Sequence, residues 1–181
     1  FRFTPRWLVC DKHPGYRSTV YAEQLSAEKN LPLFRVQHHH AHVVACMAEH
    51  HLNGEVIGVS LDGTGLGDDG HIWGSEFLIS GRREYERYAH FDYLPMPGGD
   101  LAVKEPWRMA FSYLYHYPET RKYTDEIPMF RSLGDTRGQL LRKMIDKQVN
   151  SPLSCGAGRL FDAVAAILGL SSVATFDAEP P

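Results

Sequence analysis

The segment Val36–His51, VQHHHAHVVACMAEHH, holds six of the chain's ten histidines. Neutral imidazole is the commonest metal-binding side chain, and the one that exchanges a proton nearest neutrality. Residues four apart on a helix share a face, so His38 and His42 can grip one ion. His39 with His42 is the three-residue alternative. Zinc proteases use the same spacing in HExxH, but positions 39 and 40 here are both His, so the general-base glutamate of that signature is missing. Two imidazoles need at least one further ligand, and a carboxylate from elsewhere is the simplest. The plain alternative is a solvated helix start with Val43, Val44 and Met47 packed inward.

A second candidate is DGTGLGDDG, Asp62 to Gly70, which follows an apolar run. Gly65, Gly67 and Gly70 fit GxGxxG letter for letter, but that fingerprint needs a helix next, with its N-terminus on the pyrophosphate. HIWGSEFLIS follows instead, and it reads as a strand. An EF-hand would start at Asp62 and place Gly67 sixth, but position twelve is Trp73 where a bidentate glutamate belongs. No Lys-Ser/Thr pair completes a Walker loop. What remains is a strand–glycine turn–strand hairpin carrying Asp62, Thr64, Asp68 and Asp69. Such a turn can bring backbone N–H groups to phosphates while its aspartates hold a cation. Turn-forming Asp-Gly pairs in an ordinary hairpin are the bland reading.

Pro97-Gly98-Gly99-Asp100, with Lys104 and Arg108 behind it, is either a structural turn or an anion contact. Gly158 and Asp162 share one helical face. A charge buried there needs a partner, and a ribose hydroxyl or a neighbouring arginine would serve equally. No Ser-His-Asp or Cys-His arrangement can be argued.

These residues need a scaffold. The chain has 181 residues, 43% hydrophobic and 23% charged, enough for one ordinary domain with a core. A net charge of −3 leaves no electrostatic footprint for nucleic acid and no basic run for a membrane surface. Cys10, Cys46 and Cys155 are far apart and form no CxxC, which suits reduced thiols in a cytoplasmic protein. No apolar run is long enough to span a membrane, and no signal peptide opens the chain. Both ends look cut, the first on RWLVCDKHPGY and the last on FDAEPP.

Strands are expected at Trp7–Cys10, Leu33–Val36 and Glu55–Leu61, in HIWGSEFLIS and in YERYAHFDYL. Helices are expected at Ser18–Lys29 and His38–His51, the second stopped by Asn53-Gly54. From Pro106, placed at N1, the reading turns helical: WRMAFSYLYHY, a polar helix near Gly138–Gln148, and GRLFDAVAAILGL. Leu160, Phe161, Val164, Ala165, Ile167 and Leu168 form the apolar face of the last. Strand–helix alternation, then hairpins, then helices argues an α/β domain with a helical insertion, divided into an α/β part at 1–105 and a mainly helical part at 106–181.

Four segments, in this order, form a recognisable set: VQHHHAH at 36–42, SLDGTGLGDDGHIWGSEFL at 60–78, LPMPGGDLAVKEPWRMA at 94–110 and CGAGRLFDAVAAILGL at 155–170. Together they resemble the C-terminal domain of the HypF family of hydrogenase-maturation carbamoyltransferases. That domain is similar to the synthases of tRNA threonylcarbamoyl-adenosine and to antibiotic O-carbamoyltransferases. The resemblance implies an actin-like, ribonuclease-H-like (ASKHA) fold, incomplete here at both ends. It implies metal ligands at His38 and His42, with Asp62 as the further ligand and Zn or Fe(II) as the metal. Nucleotide contacts would fall on Gly63, Thr64, Gly65, Gly67, Gly158 and Asp162. His39 and His40 would point elsewhere, as proton carriers or as hydrogen-bond donors behind the ligands.

The implied chemistry is transfer of a carbamoyl group from carbamoyl adenylate, made from carbamoyl phosphate and ATP with Mg²⁺ as a further cofactor. The acceptor is the C-terminal cysteine of a HypE-like partner. A tRNA-modifying or O-carbamoylating relative, or a noncatalytic nucleotide-binding regulatory module, is the alternative. Ser75 stands where a second glycine is usual, and SCGAGR replaces an SSSCGR-like run.

Overall fold

The computed structural model describes residues 4–176, so Asp177 onward, most of the closing FDAEPP, lies outside the described residues. The chain forms two compact units. The first gathers the chain up to Ser60 with Gly65–Gly70 and Glu76–Ala89; the second holds Leu61–Thr64, His71–Ser75 and the chain from His90.

The first unit opens with β1 (Leu8–Asp11), α1 (Arg17–Lys29) and β2 (Leu33–Val36). β1 and β2 pair in parallel, with Leu8 opposite Leu33 and Asp11 opposite Val36. α1 stops where Asn30 turns left-handed (φ 51°) and returns its N–H to the Ser26 carbonyl, a stop that asparagine tolerates well. Helix α2 (His38–Glu49) follows β2 with only Gln37 between them. Gln37 caps it, with its side chain accepting from the His40 amide at 3.0 Å and donating to the Leu66 carbonyl at 3.1 Å. The helix ends sooner than Asn53-Gly54 suggested, because His51 already has a positive φ of 55°. Val43 and Met47 of α2 pack with Leu78, Val56 and Tyr85. A Cβ on Gly58 would stand 2.5 Å from the Val43 side chain, so that glycine sets how closely the helix lies on its strand.

Strands β3 (Val56–Leu66) and β4 (Ile72–Ser80) run through both units, followed by β5 (Tyr85–His90) and the short β6 (Leu94–Pro95) and β7 (Leu153–Ser154). The sheet order is β3-β4-β7-β6, with β5 also on β4. β4 runs parallel to β7, whereas β6 is antiparallel to it.

Helices α3 (Leu101–Lys104), α4 (Trp107–His116), α5 (Tyr123–Glu126), α6 (Pro128–Ser132), α7 (Gly134–Asp146) and α8 (Ala157–Ile167) belong to the second unit. Pro106 is the N-cap of α4, one place earlier than the N1 position expected of it. The core here gathers Met96, Ala102, Met109, Ala110, Phe111, Phe130 and Leu141 with Ala163 and Ala166. Phe111 and Phe130 meet edge to face at 5.4 Å, a favoured aromatic arrangement. Pro97–Asp100 is a structural turn. Gly98 (φ 101°) and Gly99 (φ 57°) adopt left-handed backbone, and Gly98 donates to the Asn150 carbonyl at 2.8 Å. Arg108 is held by Glu105 and lies 4.7 Å over the Trp107 ring.

The face of α8 differs from expectation. Its buried residues are Ala157, Arg159, Asp162, Ala163, Ala165 and Ala166, while Phe161, Val164, Ile167 and Leu168 are exposed. Small side chains let α8 lie close on α4, the helix it contacts most.

Candidate functional site

In the first unit, α2 sorts its histidines by face. His38 and His42 lie together, with their Nε2 atoms 3.2 Å apart and their rings edge to face at 4.8 Å. Behind them, His38 Nδ1 meets Asp11 Oδ2 at 2.7 Å. Sequence reasoning passed over Asp11. Its approach depends on the parallel β1–β2 register, and no local spacing announces that.

His39 and His40 point inward and are buried. His39 Nδ1 lies 3.2 Å from Gln37 Nε2, and its ring fills the space that a Cβ on Gly65 would need. His40 Nε2 donates to the Gly81 carbonyl at 2.9 Å, with its ring 4.7 Å from that of Tyr85. Both rings brace α2 against its neighbours, so their burial argues against the proton-carrying role expected from sequence.

The glycine segment is less of a loop than its composition suggested, since β3 continues through Asp62, Gly63, Thr64 and Gly65 to Leu66. The turn comes afterwards, with Gly70 at φ 80° donating to the Gly67 carbonyl at 3.0 Å. Asp68 and Asp69 already have partners of opposite charge. Asp68 takes Lys12 at 2.6 Å and the Tyr85 hydroxyl, and Asp69 takes Arg87 at 3.2 Å. Burial opposes ionisation of Asp68, but hydrogen bonds from Lys12 and Tyr85 hold its carboxyl below the usual range. That arrangement ties down a turn; it does not describe a cation site.

In the second unit Gly63 lies against the start of α8. A Cβ on Gly156 would meet the Gly63 carbonyl oxygen at 2.4 Å, and one on Gly158 would meet the Gly63 Cα at 2.9 Å. The glycines fill one another's missing side-chain space, so strand and helix approach more closely than side chains would permit. Asp162, one turn further on, is buried and pairs with buried Arg159 at 2.7 Å. Burial pushes its carboxyl upward in pKa, and the arginine pulls it back down. Of the two partners the sequence left open for Asp162, the structure supplies the arginine. Thr64 is exposed on β3.

Asp62 lies on the stretch of β3 that belongs to the second unit, and one of its oxygens accepts from the Gly63 amide at 2.6 Å. Within the first unit His38 and His42 each offer a ring nitrogen as a ligand atom. The donor set fits a cation. Two nitrogens bound about 2.0–2.1 Å from a tetrahedral ion lie about 3.3 Å apart, close to the separation of the two Nε2 atoms.

Two family models match the chain: "HypF Kae1-like domain" over residues 1–49, and "Carbamoyltransferase, Kae1-like Domain, second subdomain" over residues 58–181. The gap between them falls at the turn between α2 and β3. Fold and site therefore define a Kae1-like domain. A carbamoyltransferase HypF homolog of Cupriavidus necator is 44% identical over 89% of this chain and 40% of its own length. A probable carbamoyltransferase HypF of Methanocaldococcus jannaschii is 39% identical over 96% of this chain and 22% of its own.

A crystal structure of full-length HypF in the phosphate- and nucleotide-bound form superposes with a TM-score of 0.86 at 40% identity, covering 98% of this chain and 27% of that one. The HypF of T. kodakarensis gives 0.85 at 35% identity, over 96% of this chain and 24% of that one. The chain belongs to the HypF carbamoyltransferase family, and it spans less than half the length of these relatives.

Proposed function

We propose that this chain is the transfer part of a carbamoyltransferase whose α/β fold is of the actin-like, ribonuclease-H-like type. In this reading His38, His42 and Asp62 hold a divalent cation, zinc or iron(II), both compatible with imidazole and carboxylate donors. The observation that carries it is the 3.2 Å approach of the two Nε2 atoms.

A bound cation supplies Lewis-acid polarisation of phosphoryl or carbonyl oxygens. The chain's own residues prepare for that. His38 and His42 aim ring nitrogens at one point, while the Gly63 amide steadies one Asp62 oxygen. Close packing of Gly63 on Gly156 and Gly158 fixes the backbone of β3 against the start of α8. Asp162 is kept beside Arg159 at the same end of α8.

The substrate class is a carbamoyl adenylate formed from carbamoyl phosphate and ATP. The acceptor is the C-terminal cysteine thiolate of a HypE-like partner. Its sulfur attacks the carbamoyl carbon, the bond from that carbon to the phosphate oxygen breaks, and AMP leaves. The family name of the relatives supports carbamoyl transfer, and the bound phosphate and nucleotide of one relative support the nucleotide. No helix among the described residues is long and apolar enough to cross a membrane. The three free cysteines support a reducing, cytoplasmic setting.

The test is elemental analysis of the chain after reloading with Zn²⁺ or anaerobic Fe²⁺. His38→Ala with His42→Ala should remove bound metal and leave the circular dichroism spectrum unchanged. A double variant that still takes up one equivalent would sink the assignment.

A further inference from the structure

We propose that Asp11 is the positioning residue of the metal centre, its carboxylate fixing the tautomer and orientation in which His38 presents the Nε2 lone pair. This rests on the metal reading above. Asp11 opens the segment DKHPGY.

Asp11 closes β1, and the parallel register sets it opposite Val36, two residues before α2 begins. Its two oxygens have separate tasks. Oδ1 accepts from the His13 amide at 2.7 Å, and Oδ2 meets His38 Nδ1 at 2.7 Å. The main chain is held as well, because the buried Thr19 hydroxyl donates to the Asp11 carbonyl at 3.3 Å. The carboxylate is mostly buried, at 15% side-chain exposure.

An ionised carboxylate only accepts hydrogen bonds, so the proton between it and His38 sits on Nδ1. A neutral imidazole has no second proton, and Nε2 is left free of hydrogen on the side facing His42. Metal-binding histidines recurrently donate their other nitrogen's proton to a carboxylate in this way, which fixes the ring and raises its basicity.

A merely structural Asp11 would serve only the turn at His13. Asp11→Asn separates the two roles. The near-isosteric amide can keep its oxygen on the His13 N–H, which turns its NH₂ toward His38 Nδ1. Nδ1 must then accept, and the proton moves to Nε2, where it blocks metal binding.

The test uses the 181-residue chain, stripped of metal. Zn²⁺ is titrated against a chromophoric chelator, and Co²⁺ is followed by its d–d absorption. Asp11→Asn should bind about ten- to a hundredfold more weakly, with an altered Co²⁺ spectrum and an unchanged melting temperature. Asp11→Ala should also weaken binding; if it melts early, the Asn variant decides. Wild-type affinity in Asp11→Asn overturns the role of Asp11 and leaves the metal reading standing. Wild-type uptake that ignores His38→Ala with His42→Ala removes the metal reading, and this inference with it.

Discussion

The histidine face of α2 and the glycine seam between β3 and α8 solve opposite problems. At the first, the proposed metal site rests on side chains that reach out: His38 and His42 are solvent-accessible, and their nitrogens converge. The second rests on side chains that are missing, with Gly63 lying against both Gly156 and Gly158. The first region should therefore tolerate substitution in stability while losing ligand. The second should lose stability before anything else can be measured. A glycine that admits a ligand and a glycine that admits a neighbouring backbone look alike in a sequence.

The largest expected break comes at the seam's own charge. Asp162 and Arg159 are both at least nine-tenths buried as side chains, and removing one partner leaves the other charge uncompensated. Asp162→Ala should cost about 3–5 kcal/mol, read from urea unfolding. A cost under about 1 kcal/mol would mean that water reaches Arg159 and that the seam is as open as the histidine face.

Next in size is Gly156→Ala. The residue has an ordinary φ of −65°, so backbone strain is not the issue. The added methyl meets a carbonyl oxygen at 2.4 Å, and overpacking of this kind costs about 1–3 kcal/mol. The melting temperature should fall. An unchanged one would show the seam to be loose enough to act as an open cradle.

How much of this was legible follows the same division. β2 and the start of α2 stand where the sequence put them, because alternation and helical spacing are local signals. The His38–His42 pair is equally local, one turn of one helix. Asp11 was invisible because a partner across a parallel pairing is set by register, and the intervening α1 hides it. The continuation of β3 through DGTGL was missed because glycine was read as turn material. Here its missing Cβ lets the strand lie against the His39 ring and the start of α8. The outward face of α8 was misassigned for a related reason. Large apolar residues are the usual core markers, but close packing on α4 selects alanines, leaving Phe161 and Leu168 outside. The acidic turn was overread too, since acids near glycines resemble a cation loop until Lys12, Tyr85 and Arg87 appear beside them.

The smallest effect concerns that turn and contrasts with Asp162. Burial raises Asp162. At Asp68 burial also opposes the charge, but the hydrogen bonds from Lys12 and Tyr85 prevail and depress it. A carboxyl whose folded pKa lies below its unfolded value stabilises the fold at pH above the ordinary aspartate range, about 3.9. That contribution fades as pH falls through the depressed value. Asp68 is 40% exposed and its lysine 39%, so solvent screening keeps the gain small. Lys12→Met with Tyr85→Phe should return the Asp68 titration, followed by carbon-detected NMR of its carboxyl, toward the ordinary range. The acid unfolding midpoint should move only slightly upward in pH. A wild-type Asp68 that already titrates near 3.9 would show the turn to be held by its backbone alone, and the charge contrast between the two regions would vanish.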